Sequence, residues 1–442
     1  MKPPPFLVHP SKRFLCKADG SPFFYLADTA WELMHRATLD DVDYYMKARA
    51  AQGFTVVQTV AIPEFGGLCV PNPYGHCPLM DDDPTRPDEM YFRHVDMVVQ
   101  RAEWNGLVVG FLPTWGDKWH KTHELWGSKV IFNPENAFIY GRWIGRRFAE
   151  RDNIIWILGG DRPVLDENHK AINRAMAAGL REGDGGRHLI SFHPAGGFSS
   201  GETLHEESWL DFNMAQSGHT GHDYSNHAFI DQDYQRTPAK PCMDAEPCYE
   251  DHPVMGKKWT SDASDFFDAY EVRKRAYWAV FAGALGHTYG CHPVWQWWDQ
   301  TRERVNHVRT PWREAVHLPG ARQMAHLRRL MEARPFFQRV PDQSLLLPDT
   351  GTRGSHRRAT RAADGSYAFI YTPDGQAFDT NLDKLSAPAL ASGWFNPRNG
   401  KFTPAERISR SARVTFTPPE AGFDWVLVLD DPAAGHTDLG RA

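Results

Sequence analysis

The feature that most constrains the fold is a repeated alternation of short apolar runs with amphipathic stretches, from about residue 20 to about residue 335. The apolar runs are rich in β-branched residues, and the amphipathic stretches carry helix start and stop signals. For example, Thr38 followed three residues later by Asp41 predicts a helix start, and Gly53 predicts its end. An alternation of strands and helices is typical of a parallel sheet.

The sequence predicts eight strands in this part of the chain, at 23–27, 54–61, 107–112, 154–158, 188–192, 211–216, 240–244 and 285–289. Eight βα units favour an α/β fold of the closed (β/α)8 TIM-barrel type over an open doubly wound sheet. An open sheet would carry a glycine-rich phosphate loop after its first strand. The segment there, Ala27-Asp28-Thr29-Ala30-Trp31-Glu32, contains no glycine.

The pattern changes after Pro335 to short alternating strands separated by turn signals such as Asp364-Gly365 and Asn399-Gly400. These signals predict a C-terminal antiparallel β-sandwich domain. We therefore expect a barrel over residues 1–340, a β-sandwich over 341–432 and a polar tail over 433–442. A chain of 442 residues is long enough for two domains.

Charge and hydropathy exclude two classes of partner. The 49 basic and 55 acidic residues give a net charge of −6 without a basic cluster, which argues against nucleic acid. No run of eighteen apolar residues occurs, which argues against a membrane partner. The first residues lack the apolar core of a signal peptide. We expect a cytoplasmic protein, or a periplasmic or secreted one if a signal peptide has been removed, and leave the oligomeric state open.

Polar and aromatic side chains follow the predicted strands, at the end of a barrel that carries the active site. A mixture of rings, carboxylates and hydrogen-bond donors suits a neutral polyhydroxylated ligand, whose apolar faces stack on rings. The predicted substrate-binding residues are Asp28, Trp31, Trp115, Asp117, Lys118, Arg162, His193, Gln216, His219, Tyr249, Tyr289 and Trp295.

Two carboxylates stand out as catalytic candidates by position. Asp161 follows the fourth strand, after a Gly159-Gly160 pair, and Glu246 follows the seventh. Carboxyl groups placed across a barrel mouth suit glycosidic cleavage by one acid/base and one nucleophile. Asp28, Glu64, Asp117 and Asp244 compete for these roles, and we expect Asp244 to support Glu246 from behind.

Two alternatives remain open. A barrel of this kind could be a non-catalytic carbohydrate-binding protein or a metal-dependent hydrolase. The pairs His120/His123 and His219/His222 have a spacing that a metal site could use, but no clear third ligand accompanies either. We therefore expect no metal and no cofactor.

Several segments of the sequence resemble the apiosidase-like glycoside hydrolases (glycoside hydrolase family 140), bacterial (β/α)8 enzymes with a C-terminal β-sandwich. The likeness covers nearly the whole chain. It is carried by FFYLADTAWELMHR (23–36), GFTVVQTVAIPE (53–64), LPTWGDKW (112–119), NIIWILGGDRP (153–163), MDAEPCYEDHPV (243–254), GHTYGCHPVWQ (286–296) and SGWFNPRNG (392–400).

The resemblance implies that Asp161, in Gly-Gly-Asp, is the acid/base and that Glu246, in Asp-Ala-Glu-Pro, is the nucleophile of a retaining enzyme. The wider clan usually has Asn-Glu after strand four, where this sequence has Gly160-Asp161. The family's substrate, apiose, is a branched pentofuranose of plant pectin. We therefore expect a hydrolase of apiose-like or related furanosides in pectic glycans, with a structural C-terminal domain.

Overall fold

The computed structural model describes residues 2–121, 127–255, 264–348, 350–437 and 439. The strands are β1 (Phe6–Val8), β2 (Leu15–Lys17), β3 (Pro22–Phe23), β4 (Tyr25–Thr29), β5 (Val56–Val60), β6 (Val108–Leu112), β7 (Ile154–Gly159), β8 (Ile190–His193), β9 (Phe198–Ser199), β10 (Asn213–Gln216), β11 (Cys242–Asp244), β12 (Gly286–Tyr289), β13 (Arg339–Pro341), β14 (Arg358–Ala362), β15 (Tyr367–Thr372), β16 (Phe378–Thr380), β17 (Ala389–Phe395), β18 (Phe402–Pro404), β19 (Ile408–Ser409), β20 (Val414–Phe416) and β21 (Trp425–Asp430).

The helices are α1 (Leu33–Arg36), α2 (Leu39–Ala51), α3 (Glu89–Trp104), α4 (Pro134–Phe148), α5 (Glu167–Asp184), α6 (Ser200–Leu204), α7 (His227–Gln235), α8 (Ala269–Phe281), α9 (His292–Trp295), α10 (Trp312–Ala315) and α11 (Pro319–Glu332). Local sequence fixes several of their starts. Thr38 and Asp41 form a reciprocal capping box at α2, and Asn133 does the same at α4, where Pro134 occupies the first helical position. Across the described part of the chain, none of these helices combines the length and apolar character that crossing a membrane requires.

The first domain contains a curled parallel sheet of six strands in the order β12-β4-β5-β6-β7-β8. β10 and β11 form a separate parallel pair. On each side one backbone hydrogen bond joins this pair to the sheet, from Asp211 N to Ile190 O at 2.9 Å and from Leu285 N to Cys242 O at 2.9 Å. The Ser191 hydroxyl also donates to Phe212 O at 2.7 Å. The short strands β10 and β11 leave the ladder incomplete at these two joints. Closure into an eight-stranded barrel therefore stays a prediction.

Strand periodicity separates two apolar layers in this domain. In β7, Ile155 and Ile157 face the interior of the curled sheet, where they join one apolar cluster. Ile154, Trp156 and Leu158 face the surrounding helices and join another. The N-terminal strands β1, β2 and β3, which the sequence pattern did not predict, form a small antiparallel sheet.

The C-terminal domain is an antiparallel sheet of seven strands with β16 and β20 paired separately. Successive side chains of β15 point to opposite faces of the sheet. Ala368 and Ile370 pack into the core of this domain. Phe369 and Tyr371 pack against the first domain, with Tyr371 stacked on Tyr277 of α8 at 4.9 Å between ring centroids. Both faces of the sheet are therefore covered.

Charged groups are paired across the junction between the domains. Arg273 of α8 donates from Nε and Nη2 to the two carboxylate oxygens of Asp424, at 2.6 and 2.7 Å. Both side chains are buried. Arg358 donates to both oxygens of Asp231 in α7, at 2.9 and 2.6 Å. Such two-point pairs fix the orientation of one domain against the other.

Candidate active site

The parallel strands end at a pocket of about 850 Å³. The loops that follow β4, β5, β6, β7, β8, β10, β11 and β12 all contribute to its wall. Active sites of parallel barrels lie at this end of the strands. The lining residues are Trp31, Glu64, Phe65, Trp115, Asp161, Arg162, Gly196, Gly197, Gln216, Ser217, Gly218, His219, Thr220, Tyr224, Glu246, Tyr249, His252, Met255, Trp295, Val305 and Asn306.

Asp161 sits on a left-handed turn that requires glycine at two positions. Gly159, Gly160 and Asp161 have φ values of 92°, 99° and 55°. A Cβ atom on Gly159 would lie 2.2 Å from the backbone oxygen of His193, and one on Gly160 would lie 2.7 Å from the backbone nitrogen of Gly116. Aspartate tolerates the left-handed region better than most residues. The Gly-Gly-Asp sequence thus brings the Asp161 side chain to the pocket wall.

The neighbouring Arg162 contacts the Asp161 carboxyl group. Its Nη1 donates to Asp161 Oδ2 at 2.9 Å and to the Asp161 backbone oxygen at 2.7 Å. Partial burial in the pocket and the negative charge of Glu246 raise the pKa of Asp161, and they outweigh the opposite effects of Arg162 and His193. Asp161 therefore keeps its proton to a higher pH than an ordinary aspartate.

Two imidazoles approach the Glu246 carboxylate. His193 Nε2 lies 3.1 Å from Oε2 and His219 Nε2 lies 3.3 Å from Oε1. The His219 contact has hydrogen-bond geometry, whereas the His193 contact is close but poorly aligned. Burial raises the pKa of Glu246, but the two imidazoles outweigh it and lower the pKa to about 2. Glu246 is therefore ionised at ordinary pH, as a nucleophilic carboxylate must be.

Asp244 lies behind Glu246, outside the pocket lining. Its Oδ2 accepts from Ser217 Oγ at 2.7 Å and from Asn226 Nδ2 at 2.9 Å. Gly218 N also donates to Glu246 O at 2.9 Å, and this backbone hydrogen bond connects the loops after β10 and β11. These bonds fix the segment that carries Glu246.

Aromatic rings form two parts of the wall. Trp31 and Trp115 meet at 5.1 Å between ring centroids. Trp31 and His193 meet edge-on at 5.2 Å, and Trp115 is tilted against His193 at 6.0 Å. Phe65 and Trp295 meet at 5.2 Å in the second part. Flat rings of this kind offer stacking surfaces for the apolar face of a sugar.

The pocket brings together most of the residues that the sequence singled out. Those on its wall are Trp31, Trp115, Asp161, Arg162, Gln216, His219, Glu246, Tyr249 and Trp295. His193 is fully buried behind the wall and reaches the site through its contact with Glu246.

Besides His193, four predicted substrate-binding residues lie outside the pocket lining, which corrects the sequence-based expectation. Asp28 alternates with inward-facing Ala27 and points to α2, where it accepts hydrogen bonds from Tyr45 and Arg49. Tyr289 also points to the helices and donates to Glu250 at 2.5 Å.

Asp117 and Lys118 are the other two. Lys118 Nζ donates to Asp117 at 2.6 and 2.8 Å and to the backbone oxygen of Pro63 at 3.0 Å. Both side chains are buried. This pair anchors the loop after β5 and has no side chain directed to the pocket lining.

Sequence reasoning missed Phe65, Tyr224, His252 and Asn306, which all line the pocket. They belong to long loops, where strand periodicity gives no signal. His252 could have been found from its place six residues after Glu246, in the segment that carries the family resemblance.

The described histidines of the pairs considered for metal binding contact other side chains. His222 contacts Asp265 and Glu271, at 2.8 and 3.1 Å, and His120 packs against His169. His123 lies outside the described residues. Within the described ranges, no group of three or more His, Cys, Asp or Glu side chains has the arrangement of a metal site.

Comparison with known proteins agrees with this architecture. A family model described as "Apiosidase-like, catalytic domain" matches residues 9–338. A second, described as "Putative collagen-binding domain of a collagenase", matches residues 340–430. A comparison with curated proteins gave no match.

Two solved structures resemble nearly the whole chain. One is described as a glycoside hydrolase; it has 29% identity and a TM-score of 0.88, and the match covers 99% of this chain and 98% of that one. The other is a glycoside hydrolase family 5 protein from Bacteroides vulgatus ATCC 8482, with 28% identity, a TM-score of 0.89 and coverage of 99% and 96%.

The fold, the carboxylate pocket and these matches define a glycoside hydrolase. Within that class, the chain belongs to the apiosidase-like family.

Proposed function

We propose that this protein is a retaining glycosidase in which Asp161 is the acid/base and Glu246 is the nucleophile. The observation that carries the proposal is the contrast between two carboxyl groups of one pocket. The pKa of Asp161 is raised, by burial first and then by Glu246, whereas the imidazoles of His193 and His219 overcome the effect of burial and lower the pKa of Glu246 to about 2. Environments that separate two such pKa values define the acid and the nucleophile.

The proposed reaction has two steps. In the first, Glu246 attacks the anomeric carbon, Asp161 gives its proton to the glycosidic oxygen, and the carbon–oxygen bond to the leaving group breaks. The product is a glycosyl ester on Glu246. In the second, Asp161 takes a proton from water, the hydroxide oxygen bonds to the anomeric carbon, and Glu246 leaves as a carboxylate. Esterification removes the negative charge of Glu246, so the pKa of Asp161 falls when it must act as a base.

For the substrate we propose an apiose-like or related pentofuranoside of pectic glycans, as the family description and the resemblance to glycoside hydrolase family 140 suggest. Trp31, Trp115 and Trp295 would stack on the sugar. Arg162, Gln216, His219 and Tyr249 would hold its hydroxyl groups. We also propose that the parallel strands act as one (β/α)8 barrel, since all their loops meet at this pocket.

A screen of aryl furanosides and pectin-derived oligosaccharides, with the product anomer followed by NMR, tests this proposal. We expect cleavage of a furanoside with the first-formed product in the substrate's own anomeric configuration. An inverted first product would exclude the retaining mechanism. Binding without turnover would favour a carbohydrate-binding protein, and loss of activity in EDTA that is restored by metal would favour a metal-dependent hydrolase.

A further inference from the structure

One guanidinium group joins two carboxyl groups of the pocket. Arg162 donates from Nη1 to Asp161 Oδ2 at 2.9 Å and from Nη2 to Glu64 Oε1 at 2.5 Å. The Glu64 side chain is 15% exposed and belongs to the loop after β5, whereas Arg162 follows β7. The contact therefore joins two loops that only the fold brings together.

The positive charge of Arg162 opposes acid catalysis by Asp161, and Glu64 offsets this charge. A lone arginine beside Asp161 stabilises the carboxylate and removes the proton that a general acid must donate. Glu64 offsets the positive charge of Arg162 and takes one of its two guanidinium edges. We propose that Glu64 is a positioning residue that engages Arg162 and thereby keeps the catalytic proton on Asp161. This inference rests on the proposed function.

The charges around Glu64 and Asp161 favour retention of one proton by this pair of carboxyl groups. Glu64 faces Arg162, Asp161 and Asp117, and the last of these is paired with Lys118. Burial raises the pKa of Glu64 to about 7 although Arg162 opposes this effect. Two carboxyl groups that share one cation lose their protons as a coupled pair, in steps that belong to both groups.

Among the groups around Asp161, Glu246 also favours the protonated form. Glu246 faces it from the loop after β11 and disfavours a second negative charge, while His193 and Gln216 favour the charged form to a smaller extent. Above about pH 7, where Glu64 is ionised, removal of its charge would leave Arg162 to act on Asp161 with its full positive charge. The pKa of Asp161 would then fall.

The test compares the pH dependence of kcat/KM for the wild-type protein, Glu64→Gln and Arg162→Gln. We expect Glu64→Gln to move the alkaline limb to lower pH by about one unit, with near-normal rates below that limb. We expect Arg162→Gln to move the limb to higher pH, because it removes the cation. Glu64→Asp should restore part of the wild-type profile. Glu206→Gln, a surface change, controls for the loss of one carboxylate.

The leaving group supplies a second readout. An aryl glycoside with a 4-nitrophenolate leaving group needs little protonation, so Glu64→Gln should impair it far less than an alkyl glycoside. If Glu64 instead binds a sugar hydroxyl group, KM rises for both substrates at every pH and the limb does not move. That result overturns the inference, as does an equal loss of kcat at every pH.

A measurement without turnover separates this inference from the proposed function. The ¹³C shift of the Asp161 carboxyl, assigned with Asp161→Asn, should titrate at lower pH in Glu64→Gln than in the wild-type protein. An unchanged titration contradicts the inference even if Asp161 proves catalytic. Near-normal turnover of Asp161→Asn contradicts the proposed function, whatever the titration of Asp161 shows.

Discussion

The candidate active-site pocket and the interface between the two domains both bury polar groups, and they differ in whether a bound molecule can reach those groups. At the interface, Arg273 meets both oxygens of Asp424. In the pocket, Trp115 Nε1, Gln216 Oε1 and His219 Nδ1 are buried without a hydrogen-bond partner among the residues described. A buried polar group without a partner costs about 1–3 kcal/mol. The interface also holds buried polar atoms without a partner among the described residues, such as Tyr277 Oη and Arg358 Nε, but these lie between packed domains. The unpaired groups of the pocket line a cavity, where a bound molecule can satisfy them.

This difference predicts that pocket substitutions change the rate more than the stability, and that interface substitutions do the opposite. The largest effect is expected for Glu246→Gln. The amide cannot form the glycosyl ester, so kcat should fall by about 10⁴-fold or more. Steady-state kinetics measure this loss, and thermal unfolding should show a folded protein. Turnover within tenfold of wild type would remove Glu246 from the mechanism.

Asp161→Asn should have the next largest effect. For a substrate with a poor leaving group we expect a loss of about 10²–10⁴-fold, the range of general acid catalysis, and a smaller loss for a 4-nitrophenyl glycoside. In the wild-type protein the rate should fall as pH rises through the raised pKa of Asp161, because the protonated form is then lost. The alkaline limb should vanish in Asp161→Asn. Its persistence would assign the limb to another group.

Asp424→Asn tests the interface side of the comparison. It leaves the buried Arg273 without its counter-charge, so the free energy of unfolding should fall by about 3 kcal/mol while kcat stays unchanged. Denaturant unfolding and kinetics on the same samples measure both quantities. Asp379→Asn, which breaks an exposed pair with Arg413, is the matched control and should change neither. A rate loss in Asp424→Asn would show that the interface supports the pocket.

Trp295→Ala should have the smallest effect. Loss of one stacking surface is expected to raise KM about tenfold, with little change in kcat. Trp104→Ala, at an exposed position in α3, controls for the removal of an indole. A large fall in kcat with constant KM would mean that Trp295 contributes to the transition state and not to ground-state binding.

Much of the fold follows from the sequence because its signals are local. The predicted strand at 154–158 is observed as Ile154–Gly159, and the helix predicted to start at Thr38 is observed as Leu39–Ala51, with Thr38 as its cap. Both depend on short-range periodicity and capping. Closure of the sheet depends on long-range hydrogen bonds near β10 and β11, which local patterns do not encode.

The sequence predicts a site residue correctly where its position after a strand is enough to place it in the pocket. Asp161 and Glu246 follow strands after short turns, so the strand assignment brings them to the pocket. Asp28 and Tyr289 also lie at strand ends, yet they face the helices because they alternate with inward-facing Ala27 and Thr288. Their partners, Arg49 and Glu250, lie in other elements, and sequence spacing does not reveal such pairs.

The central claim is that Asp161 is the acid/base and Glu246 is the nucleophile. Azide rescue of Asp161→Ala and Glu246→Ala tests this claim most directly. The measurement is the anomeric configuration of the glycosyl azide formed from an aryl furanoside that the wild-type protein cleaves. We predict retained configuration from Asp161→Ala, because azide attacks the ester on Glu246, and inverted configuration from Glu246→Ala, because azide replaces the nucleophile. The opposite pair of configurations would contradict this assignment.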